Sequence, residues 1–277
     1  MTSFRDHDLD LIRNILIEAG EAEIMPRFRA LGDGDVTEKK SSIDLVTDAD
    51  LFTEKRVTEA LLQIYPDAVV VGEEACEHNP RLMDRLVDAD LAFVIDPVDG
   101  TFNFSAGLPV FGTIVAVVEK GETVAGLIHD PVHGETLIAA RGAGAAVHGK
   151  GDYRLPARVI APRPLDGMVG TVSVNDIDRD TRRRIAGNLA KTKMAFGYNC
   201  SAYEYWLAAT GKVDFIGHFK LMPWDHLAGL LIHAEAGGYS AHHDGSPFRL
   251  GDLGGGILSA PDRDSWEMIA REILHAG

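Results

Sequence analysis

Eight residues carry the strongest chemical signal in the chain: Val94-Ile95-Asp96-Pro97-Val98-Asp99-Gly100-Thr101. An apolar run from Leu91 to Ile95 ends in a carboxylate, and a second carboxylate follows three residues later. Pro97 blocks helix continuation and removes one backbone donor. Gly100 lets the backbone approach a ligand closely. Read physically, a buried strand delivers two aspartates to its end. Hard anionic oxygens beside exposed amides suit Mg²⁺ and a phosphate group.

Asp50, Glu73 and Asp225 share that context, each where an apolar strand ends or a helix begins. Each also has an ordinary structural explanation. Asp50 in a first helical turn favours the helix dipole. Gly72-Glu73-Glu74 reads as a solvated turn, and Asp225 ahead of His226 is a ready N-cap. Together with Asp96 and Asp99 they become specific.

The elements that must position these residues are legible as periodicity. Leu9, Ile12, Leu16 and Ala19 recur at helical spacing, which predicts an amphipathic helix over about 6–29. Thr47 is expected to cap a helix that runs to about Tyr65 and stops at Pro66. A strand over 68–71 leads into Gly72-Glu73. Segments 112–118, 124–129 and 135–140 are apolar and separated by Gly- and Pro-containing turns, so they read as an antiparallel meander. After a boundary at 156–164, strands are expected at 168–174, 194–197 and 213–216. Helices are expected at 180–191, 201–210 and 226–236, the last closed by Gly237-Gly238. This alternation makes the class layered α/β or α+β.

Composition bounds the function. The 277 residues suffice for one large or two moderate domains. A net charge of −15, from 42 acidic and 27 basic residues, argues against nonspecific binding to nucleic acid or anionic membrane. It would also repel an anionic substrate unless bound divalent cations reversed the sign locally. No apolar run approaches the roughly 18 residues that suggest a membrane span. The N-terminus lacks a signal-peptide layout, and Cys76 and Cys200 form no Cys-x-x-Cys unit, so a reducing cytoplasm is expected.

With these motifs in order, the chain resembles the inositol monophosphatase family of Mg²⁺-dependent phosphatases. The resemblance is carried by Asp44-Leu45-Val46-Thr47-Asp48-Ala49-Asp50, by Gly72-Glu73-Glu74, by Asp96 through Phe104, and by Trp224-Asp225-His226-Leu227-Ala228-Gly229. It implies an α+β fold, a layered α-β-α-β-α sandwich of the inositol monophosphatase and fructose-1,6-bisphosphatase type. It implies an N-terminal lobe, 1–155, with most metal ligands, and a C-terminal lobe, 156–277, with Asp225 and substrate contacts. It implies that Glu73, Asp96 and the Val98 carbonyl hold one Mg²⁺, that Asp96, Asp99 and Asp225 hold a second, and that a third, weaker ion lies near Glu73. Two ions roughly 4 Å apart clamp an in-line displacement at phosphorus. Asp50 and Thr101 match the pair that orients and deprotonates the attacking water, with Glu73 beside them. Gly100 and Thr101 amides would hold phosphate oxygens, and Lys39 or Lys40 would stand near the third ion. Substrate contacts are expected from Asp99, Gly100, Thr101, Ala202, His218 and Asp225.

The substrate side departs from the pattern. His218 occupies the place of a glutamate that accepts from sugar hydroxyls, Gly197 replaces an arginine, and Phe93 replaces a tryptophan. A lone histidine beside Phe219 and Lys220 also has an ordinary reading as a surface or packing residue. The expected activity is hydrolysis of inositol 1-phosphate or a related polyol or sugar phosphate monoester. Histidinol phosphate, fructose 1,6-bisphosphate and 3′-phosphoadenosine 5′-phosphate remain alternatives, as does a noncatalytic regulatory protein on the same fold. The resemblance further implies a homodimer and inhibition by Li⁺. Arg182-Arg183-Arg184 reads as a solvated helix face, and His129/His133 and His242/His243 as solvated loops rather than a transition-metal site. Cys200 reads as structural.

Overall fold

The computed structural model describes residue 4 and residues 6–30, 36–41, 44–175 and 177–276. Its helices are α1 (Asp6–Ala19), α2 (Asp48–Ile64), α3 (Glu73–His78), α4 (Asp84–Asp88), α5 (Thr101–Ser105), α6 (Arg179–Leu189), α7 (Ser201–Ala209), α8 (Pro223–Glu235) and α9 (Arg263–Ile269). The strands are β1 (Val36–Ser41), β2 (Asp44–Thr47), β3 (Val69–Gly72), β4 (Leu91–Asp99), β5 (Gly112–Glu119), β6 (Glu122–Asp130) and β7 (Glu135–Ala140). They continue as β8 (Gly144–His148), β9 (Arg154–Ala157), β10 (Val169–Val172), β11 (Met194–Ala195), β12 (Phe215–His218), β13 (Tyr239–Ala241) and β14 (Ile257–Ala260).

Two sheets dominate the described residues. One has seven strands in the order β3-β4-β5-β6-β7-β8-β9, parallel between β3 and β4 and antiparallel elsewhere. The other has five, ordered β11-β10-β12-β14-β13. Side-chain alternation on β4 and β5 explains the layering. Phe93, Ile95, Val115 and Val117 face one way, into a core shared with Ile12 and Leu16 of α1 and Val57 and Leu61 of α2. Val94, Ile114 and Ala116 face the other way, into a core with Tyr205 of α7, Ile232 of α8 and Ile216 of β12. The far side of the smaller sheet packs Phe215 and Leu258 against Ile185 of α6 and Trp266 of α9. The result is an α-β-α-β-α sandwich, as expected.

Several expectations shift. The first helix does not run to residue 29: after Ala19 the chain opens into a π-turn, Gly20–Ile24, with Met25 N donating to Gly20 O at 2.9 Å. The α8 helix starts at Pro223 rather than at 226, because proline suits a first helical position, and Met222 is the N-cap residue. Asp225 therefore sits inside the first turn and is not the cap. The arginine run is not simply solvated. Arg182 donates to the Val174 and Asn175 carbonyls, and Arg184 to those of Leu274 and Ala276, pinning α6 to the C-terminal segment.

Candidate active site

The site begins with an irregularity in β4. Residues three apart on a regular strand face opposite sides of the sheet. Between Asp96 and Asp99 the register slips: Asp96 pairs with Ile114 and Asp99 with Gly112, three residues against two. This bulge, at the proline that cannot donate, turns both carboxylates the same way. Thr113 Oγ1 donates to Pro97 O at 2.8 Å and holds the bulge.

Asp225, from the first turn of α8, completes the group. Asp96, Asp99 and Asp225 each offer an oxygen, and these oxygens all lie within 4.8 Å of one another. Glu73, the first residue of α3, does not join that three-way set, yet it is the strongest charge acting on Asp96. Within the trio, two like charges at 4.8 Å repel by roughly 3 kcal/mol at an effective dielectric of about 20. Burial, then Glu73, Asp99, Asp225 and Asp50, push the Asp96 carboxyl well above the usual carboxylate range. Burial and Asp225 push Asp99 up to about 7, against the opposing pull of the Cys200 thiol and the Ala202 and Ser201 amides.

Beside the group stands a hydrogen-bonded pair. Thr47 N–H and Oγ1 donate to Asp50 Oδ2 at 2.8 and 2.6 Å, and Thr47 Oγ1 accepts from Ala49 N–H at 3.2 Å, so a capping box starts α2. The other oxygen, Oδ1, faces Thr101 Oγ1 at 3.0 Å, and Thr101 Oγ1 also stands 2.9 Å from Val98 O. Asp50 is thus both a cap and a bridge to the β4–α5 turn. Gly100 makes that turn with φ +89°, and a Cβ there would meet Val110 O at 2.8 Å. Ala202 does not offer its amide to open space. Its N–H donates to Asp99 Oδ2 at 2.6 Å, and the Cys200 thiol donates to the same oxygen at 3.0 Å. Burial and Asp99 push that thiol well above its ordinary pKa, which suits a positioning donor and not a nucleophile.

A cavity of about 680 Å³ opens from Asp99 and Asp225 and is lined by Phe196, Tyr198, Glu204 and His218, among others. His218, on β12, is a buried wall of this cavity. Sequence reasoning passed over two residues. Glu204, one turn into α7, reaches the cavity as a buried carboxylate; a lone glutamate among aromatics carried no spacing signal. Glu54 of α2 accepts from Glu74 N and Ala75 N, each at 2.8 Å, and so caps the helix that carries Glu73. Its legible trace was Gly72, where a Cβ would stand 2.3 Å from the Glu54 carboxyl carbon. The side chains of Lys39 and Lys40 lie outside the described residues.

Of the two histidine pairs, His129 and His242 are buried rather than solvated, while His133 stays exposed on its turn, its ring 2.7 Å from Asp130 Oδ2, and His243 is half-buried. His129 meets Thr136 Oγ1 at 3.0 Å, and His242 meets Gly256 O at 2.8 Å and Asp252 at 2.9 Å. Both rings are buried and satisfied locally. Among the described residues the aspartate trio is the one cluster with metal-ligand geometry. The trio fits a divalent cation on its own evidence: Asp96 Oδ1 is fully buried and has no hydrogen-bond partner among the described residues.

The pattern of the inositol monophosphatase family matches residues 8–276. The chain belongs to this family. A relative named Nus factor SuhB, from Pasteurella multocida, is 33% identical over 245 residues, 86% of this chain and 84% of the relative. A Thermotoga maritima protein named fructose-1,6-bisphosphatase/inositol-1-monophosphatase is 33% identical over 75% of each chain. Among solved structures, an extragenic suppressor protein suhB from Bartonella henselae superposes with a TM-score of 0.82 at 24% identity, covering 97% of this chain and 99% of the other. A Thermotoga maritima IMPase superposes with a TM-score of 0.80 at 25% identity, covering 97% and 98%. Family membership supports phosphatase-type chemistry and metal binding by the acidic cluster.

Proposed function

We propose that the protein is a Mg²⁺-dependent hydrolase of small phosphate monoesters, inositol 1-phosphate and related polyol or sugar phosphates included. The observation that carries this reading is Asp96 Oδ1, without a hydrogen-bond partner among the described residues, lying among converging carboxylates with the Thr101–Asp50 pair beside it. Asp96, Asp99 and Asp225 would hold one cation, and Glu73, Asp96 and the Val98 carbonyl another. When bound, Mg²⁺ lowers the pKa of water and neutralises charge on the phosphoryl and leaving oxygens.

The chain's own groups do the rest. Asp50 Oδ1 accepts the Thr101 hydroxyl proton, which leaves a Thr101 Oγ1 lone pair to orient the attacking water and receive its proton. We assign Glu73, which acts on Asp96, a supporting part in this step. Thr47 holds Asp50 Oδ2 with two donors, so Oδ1 keeps its direction toward Thr101. The Gly100 and Thr101 amides bind phosphate oxygens. Asp99 and Asp225 belong to the trio that would hold the cation and also line the cavity, which would receive the alcohol portion. Residues 1–155 and 156–277 act as two lobes of one enzyme, which we place in the cytoplasm as a homodimer. Among the described residues, no helix is long and apolar enough to cross a membrane.

The test is phosphate release with Mg²⁺ from inositol 1-phosphate, glycerol 2-phosphate, histidinol phosphate, fructose 1,6-bisphosphate and 3′-phosphoadenosine 5′-phosphate. Turnover that needs Mg²⁺ and slows with millimolar Li⁺ supports the reading. No release from any substrate, with Mg²⁺ bound by calorimetry, would favour the noncatalytic alternative suggested by the Nus factor relatives.

A further inference from the structure

The cavity beyond the carboxylate trio has its own unbalanced chemistry. Glu204 and His218 are 3% and 5% exposed, and both line it. Glu204 Oε1 takes a long bond from Tyr198 N–H, 3.3 Å, and the Asn199 amide also acts on the carboxylate, so its partners are two backbone amides and no cation among the described residues. Glu204 Oε2 stands 3.5 Å from His218 Nε2, and Nε2 makes no hydrogen bond among the described residues. No lysine or arginine pairs with Glu204 among those residues. Lys220 lines the same cavity but is exposed, free to carry its charge into water. The imidazole cannot supply the missing charge, because burial and the neighbouring His226 and His243 hold it neutral. Two aromatic rings, Phe196 and Tyr198, lie edge to face at 5.0 Å and line the same space.

The buried His218 Nε2, without a hydrogen-bond partner among the described residues, costs free energy unless something occupies it. A hydroxyl could do so with two neutral hydrogen bonds. A protonated amine would donate to Glu204 Oε2 and, in the tautomer with the proton on Nδ1, to His218 Nε2. Charge-assisted bonds of this kind are roughly twice as strong as neutral ones. The aromatic faces add attraction for a cation and little for a hydroxyl. Burial raises the Glu204 carboxyl to about 8, so ionising it near neutral pH costs little once an ammonium arrives.

We propose that Glu204 and His218 form a specificity-determining pair that selects phosphate monoesters of amine-bearing alcohols over their neutral hydroxyl isosteres. This rests on the phosphatase reading for its turnover but not for its binding. The His218 position, where the resemblance places a polyol-accepting glutamate, is consistent with it: here the buried acid at this wall comes from α7 and has a neutral acceptor at its side.

The experiment compares isosteric pairs, serinol phosphate with glycerol 1-phosphate and glucosamine 6-phosphate with glucose 6-phosphate. Each is measured as kcat/KM with Mg²⁺ and as Kd by calorimetry with Ca²⁺. The expected result is an amine preference of about tenfold or more in at least one pair. Glu204→Gln should collapse that ratio toward one, and His218→Asn should reduce it in part. Equal or hydroxyl-favouring ratios in the wild-type protein in both pairs, or a Glu204→Gln variant that loses both members of a pair equally, would overturn the inference. If amine esters bind preferentially and none is hydrolysed, the phosphatase reading fails and the pair stands. If turnover occurs without preference, the reverse holds.

Discussion

Asp96 is the residue on which the site's electrostatics turn. It is buried against four other carboxylates, and one of its oxygens has no hydrogen bond among the described residues. Two opposite effects of Asp96→Asn follow. Removing a ligand shared by two cations should lower turnover by more than about a hundredfold, beyond what loss of an outer-shell partner costs. Removing a charge from the cluster should raise the melting temperature of the chelated protein, because the repulsion it relieves is uncompensated there. Near-normal turnover at moderate Mg²⁺, or a lowered melting temperature in chelator, would defeat the assignment. Thr101 separates proton handling from space filling. Thr101→Val should cost about 10²- to 10⁴-fold in kcat, and Thr101→Ser should restore most of it, since only the hydroxyl reaches Asp50.

Between elements, the positions that matter are helix starts. Asp50, Glu73, Thr101, Ala202 and Asp225 lie in the first turns of α2, α3, α5, α7 and α8. Much of this was legible, because strand-to-helix junctions announce themselves as an apolar run followed by an acid or a cap. The β-meander was equally plain, since β5, β6 and β7 are apolar and turn-bounded. The bulge was not: a proline between two aspartates says that something breaks, but only the pairing with β5 shows both carboxylates on one side. Glu54 and Glu204 were invisible for a related reason. Their work is set by elements distant in sequence, twenty residues on for Glu54 and across the cavity for Glu204. The Glu54 cap carries a prediction at this scale. Glu54→Gln leaves its shape but loses charge at two backbone donors, so α3 should loosen and Glu73 lose its aim. Mg²⁺ affinity should weaken about 10- to 100-fold, read by calorimetry, with far-ultraviolet circular dichroism unchanged. Unaltered affinity would mean that β3 alone positions Glu73.

For the whole molecule, two populations of buried groups pull stability in opposite directions with pH. His129, His226, His233 and His243 are held at about 4 by burial, and His218 well below its ordinary value. Their folded pKa values lie below the unfolded value of about 6.5, so their contribution is complete above that pH and is lost as pH falls toward 4. Asp99 at about 7, Glu204 at about 8 and Asp96, also raised, behave in the opposite sense. Their folded pKa values exceed the unfolded value of about 4, so stability is fully present below that pH and is lost as pH rises through 7 and 8. Five histidines outweigh three carboxylates below about pH 6.5. Above it the histidines no longer titrate and the carboxylates act alone. In chelator, the melting temperature should therefore peak near pH 6.5 and fall toward pH 8. Saturating Mg²⁺ should flatten most of that fall, because a cation holds Asp96 and Asp99 ionised at no electrostatic cost, while Glu204 keeps a residual slope. Thermal melts at half-unit steps from pH 5 to 8.5, with chelator and with Mg²⁺, read both limbs. A chelated protein whose melting temperature rises steadily through pH 8 would mean that the carboxylates are relieved by something other than a metal.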